Sequence, residues 1–380
     1  MIAFFLGTHP ELSLAELRLV FETRETLRYL SVALFDLDEE VVSKRFTALG
    51  GVPRYGSVLG TIPRHDDEIE RKIQEVLITD LKEESRREYV ISLYGVKLDK
   101  RSFHHDLKDL LSGVKYDGKF DEPQHAPATS AHVLARGGHE YSLVMIENLV
   151  YVIKTKQVQD AKFWSIIDAE RPERDMKIGM LPAKLARMMI NMSGAEMGGK
   201  LWDPFVGLGT VAMQAAFLGI PVHGTDKAQQ SIEKSRQNMQ WLIKKGLVAQ
   251  AKHTLLQEPI ERARVDRSIS AIVTEPFLGK PRFKPFASGV LAQREWKQIN
   301  RLYGSLLQIA AKTLSSGDRL VMVKPLFSFV ARNGREWYNP PLAASPSVWR
   351  IPELIQDIGP LIWTHRDSVV GRQIMILEKR

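Results

Sequence analysis

Apolar and polar positions along this chain fall into two regimes. In the first, short strands and helices follow one another without a fixed order. Met1–Gly7 is an apolar run and predicts a buried first strand. Ser13, with Glu16 three residues later, has the form of a capping box, so a helix carrying Leu14, Leu17 and Val20 is expected to start there. Tyr29–Leu37 partly alternates and predicts a strand. Glu39–Leu49 predicts a helix closed by Gly50-Gly51, and Tyr55–Ile62 the next strand. A second group follows, with helices at Asp66–Glu84 and Ser102–Leu111 and strands at Tyr89–Leu98, Ala131–Arg136 and Tyr141–Ile153. Gln157–Lys177 is polar and charged and reads as a linker.

From Met180 onward the pattern changes to strands alternating with helices, which predicts a parallel α/β sheet. Strands are expected at Lys200–Trp202, Val222–Thr225, His253–Leu256, Ser270–Val273, Arg319–Val323 and Ile374–Leu377. Before the first of them, Leu185, Met188, Met189 and Met192 recur at helical spacing and form a core face, while Lys184, Arg187 and Asn191 lie on a stripe expected to face solvent. The predicted division is 1–63, 64–156, a linker at 157–178, and 179–380.

Composition alters this picture little. The chain has 380 residues, 44% hydrophobic and 26% charged, enough for a self-sufficient core. It contains no cysteine, so disulfides, thiolate metal sites and a cysteine nucleophile are excluded. No metal site is expected, because the adjacent His104 and His105 do not share a helical face and have no evident ligand partners. No apolar stretch is long enough to span a bilayer, and the N-terminus lacks a basic n-region, so the cytoplasm is the expected setting. A formal charge of +8 is compatible with a polyanionic partner, although mild basicity is common. The first 156 residues carry no aromatic-interleaved basic pattern of the kind that binds single-stranded RNA.

The chemistry concentrates after Met180. In Asp203-Pro-Phe-Val-Gly-Leu-Gly-Thr210 a strand ends in an acid, and Gly207 and Gly209 let the backbone turn tightly beside a ligand. A helix then begins, with free N–H groups at its start. Asp226 ends the next strand, where a carboxylate can accept from ribose hydroxyls. Such a unit suits a nucleoside-containing cofactor. Gly207-x-Gly209-x-x-Ala212 also satisfies the dinucleotide fingerprint, and a purely structural glycine turn is a third reading. Glu258, after the third strand, is a candidate for an adenine amine or an ordinary solvated acid.

The block Ala271-Ile-Val-Thr-Glu-Pro-Phe-Leu-Gly279 weighs toward base-amine methylation. An exocyclic amine conjugated with its ring is a weak nucleophile. The Glu275 carboxylate can accept its N–H, a Pro276-fixed backbone can aim a carbonyl at the second N–H, and Phe277 can stack on the base. Lys280, Arg282 and Lys284, just beyond, are candidates for phosphate contacts or ordinary basic surface.

Taken in order, GMLPAKLARMMINMSG, LWDPFVGLGT, VHGTD and IVTEPFLG resemble the THUMP-containing tRNA guanine-N2 methyltransferases of archaea and eukaryotes. THPELSLAEL and VQDAKFWSIIDAERPERD are similar to that family too. The resemblance implies a ferredoxin-like start, a THUMP-like RNA-binding module and a C-terminal doubly wound, Rossmann-like catalytic domain, with S-adenosylmethionine as cofactor and tRNA as partner. It maps the cofactor loop onto Asp203, Phe205, Gly207, Gly209 and Thr210 and the ribose acid onto Asp226. Glu275 and Pro276 match the start of the family's Asp-Pro-Pro-Tyr block, but the acid is one methylene longer, the second proline is missing and the aromatic comes one place early. Three rivals remain at this point: a DNA amino-methyltransferase, a non-catalytic RNA-binding protein that kept the fold, and an NAD-dependent oxidoreductase.

Overall fold

The computed structural model describes residues 1–83, 90–111, 119–120, 140–174, 179–196, 198–263, 268–365 and 367–380. The strand expected at Ala131–Arg136 lies outside these residues. In chain order the strands are β1 (Ile2–Phe5), β2 (Leu27–Tyr29), β3 (Val32–Phe35), β4 (Arg54–Pro63), β5 (Val90–Tyr94), β6 (Lys119–Phe120), β7 (Glu140–Ile146), β8 (Leu149–Val158), β9 (Lys200–Asp203), β10 (Val222–Asp226), β11 (His253–Gln257), β12 (Ile269–Thr274), β13 (Arg319–Ala331), β14 (Gly334–Tyr338), β15 (Trp349–Arg350), β16 (Ile362–Trp363) and β17 (Val370–Lys379). The helices are α1 (Pro10–Phe21), α2 (Glu39–Phe46), α3 (Ile69–Glu83), α4 (Lys100–Leu110), α5 (Ala161–Ala169), α6 (Ala183–Met192), α7 (Thr210–Phe217), α8 (Gln229–Lys244) and α9 (Gly289–Thr313). No helix among the described residues is long and apolar enough to cross a membrane.

Contacts gather the chain into two units. The first holds Met1–Thr8, Arg24–Thr47 and Val52–Phe163; the second holds His9–Thr23, Ala48–Gly51 and Trp164–Arg380. The first unit is built on one sheet in the order β2-β3-β1-β4-β8-β7-β5-β6, so the stretches 1–63 and 64–156 share it. The strand expected at Tyr29–Leu37 is split into β2 and β3 by Leu30, whose φ of 48° makes a tight reversal. The stretch Tyr141–Ile153 is likewise a hairpin, turned at Glu147 with φ 54°. α3 and α4 cover one face, with Ile73, Leu77, Phe103 and Leu107 packed on Ile91, Leu143, Val150 and Val152. Inside the unit, the guanidinium of Arg54 meets the Glu140 carboxylate at 2.9 Å, both side chains almost fully buried. Ser92 and Thr155 donate to the same carboxylate, so its charge is solvated by protein hydroxyls in place of water.

The second unit is a doubly wound α/β sheet. Its order is β11-β10-β9-β12-β13-β17-β15, with β14 beside β13 and β16 beside β17. β11, β10, β9, β12 and β13 run parallel, and β17 is antiparallel to β13. Trp202, Ile272, Leu320 and Met322 pack against Trp296, Tyr303 and Leu306 of α9 on one face. Alternating residues Leu201, Ala271, Val273 and Val321 are buried on the other.

Three local expectations change. First, Ser13 and Glu16 do not cap a helix, because Pro10 already occupies its first turn and places both residues inside α1. The Ser13 hydroxyl donates to Gly51 O at 2.7 Å, and the Glu16 carboxylate accepts the N–H groups of Gly50 and Gly51, each at 2.7 Å. Those glycines are needed for close approach: a Cβ on Gly50 would lie 2.6 Å from Lys184 O, and one on Gly51 2.6 Å from Met188 Sδ. Second, the Lys184–Arg187–Asn191 stripe of α6 is not a solvated face. Arg187 is buried over the rings of Trp164 and Phe217, and Asn191 donates to Glu16 and to Ala48 O. α1, buried from Leu12 to Leu19, covers the Asn191 side of α6, while Trp164 of α5 and Gln214 and Phe217 of α7 enclose Arg187. Third, the polar stretch 157–178 carries α5, with Trp164 and Ile167 buried, and a fully buried Arg171.

Candidate active site

In this sheet β10 and β12 flank β9 on opposite sides, so the chain's winding reverses between β9 and β12. The crevice beyond the carboxyl ends of two such strands is where open α/β sheets bind ligands. Asp203 ends β9 and Thr274 ends β12, and the Thr274 hydroxyl donates to Asp203 Oδ1 at 2.6 Å. The same oxygen accepts Phe205 N–H at 3.2 Å, which starts the glycine turn. Gly207 and Gly209 have φ of 50° and 79°, a region that favours glycine. A Cβ on Gly209 would also collide with the Ser235 hydroxyl. Thr210 is the first residue of α7, and its hydroxyl accepts the Arg171 guanidinium at 2.8 Å.

Asp226, at the end of β10, closes the turn from the far side. It accepts Gly207 N–H at 3.1 Å and Ala228 N–H at 2.9 Å. Glu258 reaches this region through its backbone, whose N–H donates to Asp226 O at 2.9 Å, while Pro259 and Ile260 form the neighbouring wall.

Two hollows that share lining residues open here. One, of about 300 Å³, is walled by Met180, Asp203, the glycine turn, Thr210 and Lys234. The other, of about 800 Å³, runs from Asp226 and Ile260 past Pro276 and Phe277 to Phe283. Both volumes suit a small-molecule site. Phe205, Gly207 and Glu275 line both hollows. Glu275 therefore sits between the glycine turn and the wider chamber.

Its carboxylate is held by a residue far away in sequence. Arg372 Nε donates to Glu275 Oε1 at 2.6 Å, with both side chains largely buried. The same guanidinium donates to Gly179 O at 2.9 Å, which ties the segment before α6 to the site. Glu275 Oε2 has no partner among the described residues and is open to a ligand. Phe277 is 51% exposed in the wall of the wider chamber, and its carbonyl accepts the hydroxyl of the buried Tyr303. Pro276 is buried.

Burial pushes the Asp203 carboxyl up to about 7, and the charges of Asp226 and Glu275 push in the same direction. An unfolded aspartate titrates near 3.9, so the folded state binds the extra proton between about pH 4 and 7. Stability is then full below that window and falls as pH rises through it, by up to roughly 4 kcal/mol. Asp203→Asn keeps the Oδ1 acceptor for Thr274 and Phe205 but carries no charge. Thermal melts at pH 5 and pH 8 should show a drop for the natural chain and a much smaller one for the variant; parallel drops would assign the pH dependence elsewhere.

The sequence-derived residues Asp203, Phe205, Gly207, Gly209, Thr210, Asp226, Glu275, Pro276 and Phe277 thus converge on one crevice, with Glu258 behind it. Reasoning from sequence missed Arg372, Arg171 and Thr274. Arg372 opens an apolar strand and Arg171 lies in a charged stretch, and no spacing relates either to the site.

Residues 171–326 match the family described as UPF0020: RMKL-like, methyltransferase domain. Over 147 residues the chain is 29% identical to a tRNA (guanine(10)-N2)-dimethyltransferase of Methanothermobacter thermautotrophicus, covering 39% of this chain and 39% of that one. Over 130 residues it is 26% identical to the protein of the same description from Pyrococcus abyssi, covering 34% of this chain and 38% of that one. The match thus spans well under half the length of these relatives. The crystal structure of TrmN from Thermus thermophilus aligns over 100% of this chain and 99% of its own, with a TM-score of 0.49 and 15% identity. The similarity to a methyltransferase domain therefore falls on the stretch that builds the crevice, from Arg171 through β12 and most of β13.

Proposed function

We propose that this chain methylates an exocyclic base amine in RNA, and that its acceptor is guanine N2 of tRNA. The observation that carries this reading is Glu275, a carboxylate with one oxygen unpartnered among the described residues, set at the switch point between the glycine turn and a wider, aromatic-walled chamber. The two curated relatives are described as enzymes of this reaction.

The residues present fit S-adenosylmethionine. The glycine turn forbids side chains where a cofactor would lie against backbone, and α7 begins there without a side-chain cap, at the end where a helix's first N–H groups have no partner within it. Asp226 is placed to accept ribose hydroxyls, exchanging its bond to Gly207 N–H for them. Pro259 and Ile260 offer an apolar wall for a purine. When bound, the cofactor supplies an electrophilic methyl group. The chain's own part is positioning and electrostatics. Glu275 Oε2 accepts an amine N–H and draws electron density toward the nitrogen, then takes the proton released. Phe277 offers a stacking face. We read the first unit as ferredoxin-like and THUMP-like modules that bring tRNA to this crevice, in the cytoplasm.

The test is transfer of labelled methyl from S-adenosylmethionine to unmodified tRNA, with nucleoside mass spectrometry. N2-methylated guanosine is the expected product. No transfer by a chain that binds S-adenosylmethionine, or transfer to duplex DNA alone, would overturn the reading.

A further inference from the structure

β13 runs on past its pairing with β17 for several residues and turns back at Arg332-Asn333 into β14. In this hairpin Phe327, Phe329 and Tyr338 face the core. Pairing register puts Ser328, Val330, Arg335 and Trp337 on the opposite, outer face. Val330 is 58% exposed and Trp337 39%, and the Arg335 guanidinium lies 4.9 Å from the Trp337 ring centre. This outer face adjoins the wider chamber. Ser328 N–H and hydroxyl both donate to Val369 O, at 3.1 and 2.8 Å, and Val369 lines that chamber. Trp337 also packs close to Gly371.

A second element completes the rim. The loop 279–288 is fastened to the hairpin by Phe286, whose N–H donates to Ser328 O and whose carbonyl accepts Val330 N–H, both at 2.9 Å. Its other end lines the chamber and presents Phe283, which is 80% exposed. Leaving a phenylalanine in water forgoes a large burial gain, so a stacking partner would be strongly favoured there. Loop and hairpin together carry five cationic residues, Lys280, Arg282, Lys284, Arg332 and Arg335, against one carboxylate, Glu336. Exposed aromatics interleaved with cations, continuous with a chamber, are what a single-stranded nucleic acid requires: π-faces for bases and charge for phosphates.

We propose that this loop and hairpin form a platform for single-stranded RNA, which stacks bases on Phe283 and Trp337 and leads the strand into the chamber. The proposal rests on the RNA reading above. It locates part of the RNA-binding surface in the second unit, in residues whose role neither the family match nor the relatives' descriptions specify.

The test uses the full chain and a fluorescein-labelled oligouridylate in anisotropy titrations. Phe283→Ala and Trp337→Ala should each weaken binding about tenfold. The exposed pair Arg332→Glu and Arg335→Glu should lower the slope of log affinity against log salt by about 2. S-adenosylmethionine affinity and thermal unfolding serve as checks that each variant is folded, and the charge reversal keeps the test decisive should Trp337→Ala disturb its packing on Gly371. Unchanged oligouridylate affinity in all variants, with methyl transfer to tRNA intact, would overturn the platform and leave the activity standing. Weakened affinity in a chain that never transfers methyl would support the platform and remove the activity. Tighter binding of duplex DNA than of the oligoribonucleotide would overturn the platform outright.

Discussion

A fragment that begins at Trp164 and runs to Arg380 will not fold cooperatively, although it keeps the nine-stranded sheet and every residue of the candidate site. It lacks α1 and the Ala48–Gly51 segment, which belong to the same compact unit. α1 packs against α6 and against the turn at Glu353–Ile355. Leu12, Leu14 and Leu17 are fully buried. Truncating one such leucine to alanine costs about 2–5 kcal/mol, while a whole domain is stable by only about 5–15 kcal/mol. Polar losses add to this. Asn191 would lose both its acceptors, Glu16 and Ala48 O. Leu354 O and Asp357 would lose the Arg18 guanidinium, each now bonded at 2.8 Å. Circular dichroism melts should show a broad or absent transition in the fragment, with strong binding of a hydrophobic dye. A sharp transition within a few degrees of the full chain's would show that α1 is dispensable. Leu17→Ala in the full chain is the milder companion, and it should lower the melting temperature without touching the site.

That dependence on α1 marks the limit of what the sequence discloses. The parallel strands were legible because most are short apolar runs set between helical stretches, and the crevice was legible because Asp203, Gly207, Gly209 and Asp226 lie within one strand–turn–helix–strand stretch. Local pattern misleads where a distant element decides burial. Ser13-x-x-Glu16 has the spacing of a capping box, yet its polar groups serve Gly50 and Gly51, more than thirty residues on. Arg187 and Asn191 sit on the polar stripe of an amphipathic helix, and the arrival of α1, α5 and α7 around it makes that stripe interior. Arg372 is separated from Glu275 by 97 residues, and their pairing follows from β17 lying antiparallel beside β13 in the finished sheet. The β13–β14 hairpin turns at Arg332-Asn333, with Gly334 already paired to Ala331. What gives it meaning is its position on the chamber's rim, which is a property of the fold.

The second large effect is expected at Glu275. Glu275→Gln should lower turnover by about 10²–10³-fold, within the range that a positioned proton acceptor contributes, while S-adenosylmethionine affinity stays within a few-fold. The side chain keeps its length, and the amide oxygen can still accept Arg372 Nε, so the anchor to β17 and the segment at Gly179 survive. With the oxygen held there, the amide NH₂ takes the place of Oε2 and presents a donor to an amine that needs an acceptor. Glu275→Asp separates geometry from charge. It keeps a carboxylate but is one methylene shorter, so it cannot both hold Arg372 and reach the acceptor, and a displacement near 1 Å costs about 10²-fold. Arg372→Ala should show a smaller loss of turnover, because the carboxylate is present but no longer aimed, and it should add little on top of Glu275→Gln if the two act as one unit. Single-turnover rates with saturating cofactor give these numbers without interference from product release. A Gln variant that turns over within a few-fold of the natural chain would show that positioning in this crevice suffices and that the amine's proton leaves by another route.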